Sequence, residues 1–135
     1  MNELNTSLYG TLSAATALTT LLPGTTSFYY QIPPDNPTYP LVVWNLQGGG
    51  DLNMTPKRRK SLVVYIRAYS KVSAAQAGSI DKQIDTALHG KSLSVSGWSN
   101  YWLMRESDVE LVENPPDGNK IYSAGGFYRV EIEKS

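Results

Sequence analysis

From Lys60 to Gly90 the chain reads KSLVVYIRAYSKVSAAQAGSIDKQIDTALHG, and this stretch restricts the possible folds more than any other. Leu62, Val64, Ile66 and Ala68 alternate with Val63, Tyr65, Arg67 and Tyr69. That period of two, rich in β-branched and aromatic residues, predicts a strand. The first set is wholly apolar and belongs in a core; the second carries Tyr and Arg and is expected half wet. Ser73 and Gln76 form an S-x-x-Q capping box that opens a helix. Ala77, Ile80, Ile84, Ala87 and Leu88 then recur at helical spacing. His89-Gly90 ends the run, since glycine takes the left-handed conformation needed just past a last turn. A strand that returns a helix onto its own sheet predicts a small α+β domain.

Before this unit, Leu4, Leu8, Leu12, Ala15, Leu18 and Leu22 step at helical intervals. They predict one amphipathic helix over about residues 3–21, capped by Asn2 or Asn5 and stopped by Leu22-Pro23-Gly24. Phe28–Ile32 reads as a short strand. Pro33, Pro34, Pro37 and Pro40 stiffen the connection to a second strand, Leu41–Leu46, which is apolar on both faces. Residues 47–60 combine three glycines, Pro56 and the four cations Lys57, Arg58, Arg59 and Lys60, and are expected to form a flexible basic loop. The glycines lack phosphate-loop spacing.

After the second helix (about 74–89), Leu93–Val95 makes a brief strand. Trp98–Val112 and Ile121–Glu133 form a long hairpin around PPDGNK. With Asp117-Gly118 as turn centre, Glu106 faces Arg129. That register gathers Leu103, Val109 and Leu111 with Tyr122, Ala124, Tyr128, Val130 and Ile132, leaving Glu106, Asp108 and Glu110 on a polar face. Gly125-Gly126 is expected to mark a bulge or bend. The expected fold is a single α+β domain over residues 1–135, with an antiparallel or mixed sheet of about five strands on two helices.

With 135 residues and equal counts of 12 cations and 12 anions, a histone-like coating protein is excluded. There is no cysteine and one histidine, His89, which removes thiolate and His-cluster metal sites; no cofactor is expected. No run reaches the roughly 18 apolar residues of a membrane span, and the acidic start suits no signal peptide. No membrane partner is expected, and assembly in a cytosol is.

Three residue sets invite a functional reading. Glu106, Asp108 and Glu110 have the look of paired carboxylates, yet Arg105 and Arg129 nearby make them a neutralised strand face, and a hydrolase needing Glu106 has no evident substrate. His89 suits a helix C-terminus better than general-base work. No nucleophile elbow is present, so no enzyme is expected. The Lys57–Lys60 run suits a DNA backbone or a merely solvated loop. Trp98, Tyr101 and Trp102 suit core filling or the buried anchors of a protein–protein interface better than a base-stacking platform.

The order helix, strand, Pro-rich loop, strand, loop, strand, helix, hairpin resembles the tail-completion family of long-tailed bacteriophages, which comprises tail terminators and tail-to-head joining proteins. The resemblance is carried by the helix ending LLPG, FYYQIPPDNPTYPLVVW, SLVVYIRAYS and AGSIDKQIDTALHG. It implies a virion protein that forms a ring of six copies, caps the tail tube and docks the head's connector, with the genome passing through its lumen. Its partners would be its own copies, the tube protein and the connector or stopper. Tyr65, Arg67 and Tyr69, with Trp98, Tyr101 and Trp102, would be the candidate subunit interface, and Lys57, Arg58, Arg59 and Lys60 would face an acidic rim of tube or connector or the passing DNA. The alternatives are a head-completion or neck connector ring, or a small nucleic-acid-binding module using the basic loop.

Overall fold

A computed structural model describes residues 1–53 and 55–135. The alternation that opens the Lys60–Gly90 stretch becomes β3 (Arg59–Ser70), and the helical stripe becomes α3 (Ala74–Leu88). Leu62, Val64, Ile66, Ala68 and Ser70 are buried while the intervening residues are half-exposed, as the period of two requires. Around them lie α1 (Asn2–Ala14), α2 (Thr16–Thr19), β1 (Phe28–Tyr30), β2 (Leu41–Asp51), β4 (Ser94–Val95), β5 (Trp98–Glu113) and β6 (Ile121–Lys134). The six strands form one sheet in the order β1-β2-β3-β6-β5-β4. Only β1 runs parallel to its neighbour, so the sheet is mixed. The α+β expectation holds, with one more strand than foreseen.

All three helices lie on one face of this sheet. Leu4, Leu8, Leu12 and Leu18 meet Ile80, Ile84 and Leu88 over a floor of Val42, Trp44, Val64, Ile66, Tyr128, Val130 and Ile132. The first helix is not continuous as expected: Ala15 is extended (φ −76°, ψ 98°) and divides α1 from α2. The break falls in a Ser/Thr-rich run whose hydroxyls (Ser13, Thr19, Thr20) turn back onto carbonyls three residues earlier, a local alternative to helix. Neither Asn2 nor Asn5 caps α1. Its N-cap is Met1, and Asn5 instead accepts from Trp44 Nε1 at 3.3 Å.

At α3 the Ser73 hydroxyl accepts from Gln76 N, as the capping box demands. The reciprocal arm differs: the Gln76 side chain bonds the buried Ser70 hydroxyl, which also accepts from Val72 N. Gly90 takes φ 74° and donates its N–H to Leu103 O at 2.8 Å, tying the end of the helix to β5.

Two further expectations need correction. The glycine run of residues 47–60 is strand, not loop: β2 continues through Gly48-Gly49-Gly50 to Asp51 and pairs with β3 from Lys60 to Val63, past a bulge at Gln47. Gly49 permits this because its φ is +100° and a Cβ there would sit 2.2 Å from Ser61 O. The connection proper shrinks to residues 52–58. In the β5–β6 hairpin, Glu106 does not face Arg129 in register. Met104 does: the hairpin closes at Glu113 and Ile121, one residue out of the register centred on Asp117-Gly118, and the bulge between Arg105 and Ser107 shifts β5 by one more, with a further bulge between Asn100 and Trp102. Past the second bulge Asp108 and Glu110 therefore turn toward α3, and Val109 and Leu111 turn to the opposite face. The bulges lie in β5; Gly125 and Gly126, in β6, serve its close approach to both neighbours.

Candidate assembly surfaces

The face of the sheet away from the helices is where the half-wet set of β3 emerges. Tyr65, Arg67 and Tyr69 come together there as the sequence suggests, joined by Phe127 and Asn45. Tyr65 stacks on Phe127 with ring centroids 4.8 Å apart. The Arg67 guanidinium lies 4.7 Å from the Tyr65 ring centroid, donates from Nε to Tyr69 Oη at 2.7 Å and from Nη1 to Asn45 Oδ1 at 2.6 Å. Burial pushes the Tyr65 phenol above its ordinary range, against the opposing pull of Arg67. Beside this box, a groove of about 200 Å³ is lined by Pro33, Tyr39, Leu41, Val43, Arg67, Tyr69, Glu113 and Ile121. The Pro-rich segment 33–40, which enters β2 through the cis Tyr39-Pro40 bond, forms its wall.

At the other end of the same face, the basic run meets the aromatic trio. Arg59 pairs with Glu133 at 2.8 Å and lies over the Tyr101 ring at 5.6 Å. Tyr101 Oη reaches Glu131 at 3.3 Å. Arg58 grips Asp51 with two bonds of 2.9 Å, and Lys60 stands 3.6 Å from the same carboxylate. The hydrogen bond from Arg58 holds the Asp51 carboxyl below its ordinary range. Three of the four cations are thus matched by acids on neighbouring strands, and Lys57 is exposed. The trio itself divides. Trp98 packs against the core with Lys134 over its ring, whereas Tyr101 and Trp102 are exposed.

Of the acids singled out in β5, Glu106 and Asp108 are engaged, and Glu110 is exposed without an ion pair among the described residues. Glu106 bonds Arg129 at 3.0 Å across the bulge, and Asp108 bonds Arg105 Nε at 2.6 Å. Arg105 is the pivot of a cluster that sequence reasoning missed. It makes a bidentate pair with Asp81 of α3, both bonds 2.8 Å, and donates to Tyr128 Oη at 3.0 Å and Gly125 O at 2.8 Å. Tyr128 Oη in turn bonds Asp85 at 3.2 Å. Burial alone would lower the Arg105 pKa, but the hydrogen bonds and charge of Asp81 and Tyr128 outweigh it and keep the guanidinium firmly protonated. Burial raises the Tyr128 phenol well above its usual value. The β6 alternation already placed Tyr128 in the core; what no spacing showed was that the bulge swings Arg105 beneath α3. His89 Nδ1 accepts from Arg105 N at 3.0 Å, so it serves the helix end.

Among the described residues no group of three or more His, Cys, Asp and Glu is placed to hold a metal, and no helix is long and apolar enough to cross a membrane. What the geometry offers is surface: a helix-free sheet face and two unlike lateral edges. One edge is β1 with the outer side of β2. The other is β5, whose outer side beyond Arg105 has no backbone partner among the described residues.

No curated protein matches this chain. Among solved structures, a chain from the virion of a native gene transfer agent particle superposes with a TM-score of 0.73. It shares 19% identity, over 96% of this chain and 94% of that one, and so the fold. The family model for tail completion protein gp17 matches residues 6–121, from within α1 to the start of β6. The chain therefore belongs to the tail completion protein gp17 family and is a structural protein of the virion tail.

Proposed function

We propose that copies of this chain close into a ring, six to a turn, that ends the tail tube and presents its far side to the head's connector or stopper. The observation that carries this reading is the pair of unlike sheet edges flanking a helix-free face. A ring needs head-to-tail contacts, in which two different patches of each subunit meet and the rotation closes. The subunit works by shape: it occupies the growing tip, and its lumen passes the genome. No bond-making is asked of it, consistent with Asp108 and Glu106 being spent on Arg105 and Arg129.

The basic tip at Lys57–Lys60 fits an acidic protein rim better than a held DNA strand, because its own acids already satisfy much of its charge. Tyr65, Arg67, Tyr69, Tyr101 and Trp102 supply the contacts of the open face, while Trp98 braces the edge from within. Electron microscopy of the purified protein mixed with tail tubes tests the proposal. Rings seated on tube ends, and tubes that stop lengthening, are expected. A protein that stays monomeric and ignores tube ends overturns it.

A further inference from the structure

The chain has five arginines. Arg58, Arg59, Arg105 and Arg129 each bond a carboxylate of their own chain. Arg67 does not: among the described residues its partners are a phenol, an amide and the faces of two tyrosine rings. It sits half-buried at mid-sheet, on the face no helix covers. A guanidinium fixed by Tyr69 and Asn45 through Nε and Nη1 keeps its remaining N–H donors for something else. Glu113 lines the same groove but makes no ion pair with Arg67 among the described residues, so the guanidinium's attraction for an oxyanion is not spent within the chain.

The groove beside it is apolar on the β2 and β6 sides, through Leu41, Val43 and Ile121. The occupant must therefore bring a carboxylate together with apolar side chains. A DNA backbone brings phosphates without them. Glu110-Leu111-Val112, on the free edge of β5, is an exposed segment of this composition. Glu110 is exposed and lacks a salt bridge of its own among the described residues, and Leu111 and Val112 are 58% and 56% exposed.

We infer that Arg67 is the receptor for Glu110 of a neighbouring copy of this chain, a pairing that rests on the ring reading above and names one contact of its head-to-tail interface. Val112, on the same side of β5 as Glu110, enters the adjoining groove with it. The pair is charge-complementary in a chain whose net charge is zero, so it joins copies without needing a partner of opposite overall charge.

The test compares wild type, R67E, E110K and the double variant R67E/E110K for the fraction of tail-tube ends capped in micrographs. Each single reversal is expected to cut capping about tenfold or more, and the double variant to recover most of it, as desolvated interface charge pairs do. Capping by R67E at the wild-type level overturns the inference, and so does a double variant that stays as poor as the singles. Circular dichroism checks folding. Should R67E not fold, E110Q carries the test, since it alters an exposed position, and unchanged capping by E110Q overturns the inference. Capping by R67Q that stays intact while its salt-sensitive affinity for a short duplex DNA falls assigns Arg67 to phosphate and overturns it too. Wild-type protein that caps no ends is a different result: it removes the ring reading itself.

Discussion

Arg105 is the residue whose loss the monomer should feel most. It joins α3 to β5 and β6 through Asp81, Asp108, Tyr128 and Gly125, with its side chain only 12% exposed. Replacing it by Met keeps the length but strands Asp81 without its partner. Breaking a part-buried pair from one side costs about 3 kcal/mol, so urea unfolding of R105M should show its midpoint fall with its slope unchanged. Tyr128 sets the alkaline limit of the same cluster. Its folded-state pKa is raised above the ordinary 10.0. The unfolded chain therefore loses this proton first, and stability that is whole below pH 10 declines as pH climbs beyond it. Tyr128→Phe should lose roughly 1 kcal/mol at neutral pH with its hydrogen bonds, yet show a flatter decline between pH 10 and 11 in thermal melts.

At the scale of elements, what was legible followed from periodicity, and what was not followed from insertions that periodicity cannot register. The alternation of β3 and the stripe of α3 are local and survive into the structure residue for residue. The half-wet side of β3, with Tyr65, Arg67 and Tyr69, was legible for the same reason. The β5–β6 register was not. Counting outward assumes a turn centred on Asp117-Gly118 and no bulge; the hairpin instead closes at Glu113 and Ile121, which moves Asp108 and Glu110 to the helix side, and the bulge before Ser107 returns Leu103 to the core face. The glycine run misled in the opposite way: composition reads Gly-Gly-Gly as loop, while here missing side chains let β2 press against β3. The same logic makes a prediction at Gly125, where a Cβ would lie 2.2 Å from Ile66 O and 2.6 Å from Arg67 Cα, both on the central strand. Neither atom can step aside, so Gly125→Ala should destabilise by about 2 kcal/mol, in the range of overpacked interiors. Amide exchange should quicken along both β3 and β6. By contrast, Ser73→Ala removes one cap bond from α3 and should cost about 1 kcal/mol, with exchange quickened in the first turn of that helix alone.

For the molecule as a whole, the separation of stability from assembly is the decisive property. The core lies between the helices and one face of the sheet, so residues on the open face can change without touching it. Trp102 is the sharpest case: a large aromatic 45% exposed, directly opposite Glu131, at the end of the face where Arg59, Tyr101 and Glu133 also meet. An exposed aromatic of this size is the type of anchor that interfaces bury. Trp102→Glu should leave monomer stability within about 0.5 kcal/mol, as surface substitutions away from the core do. Placing a second acid opposite Glu131 should at the same time abolish capping of tail tubes. Thermal melting and end-capping counts on the same preparation read the two quantities separately. A Trp102→Glu protein that melts with wild type and still caps tubes would remove this end of the face from the interface, leaving the Arg67 groove and the β5 edge to join the copies.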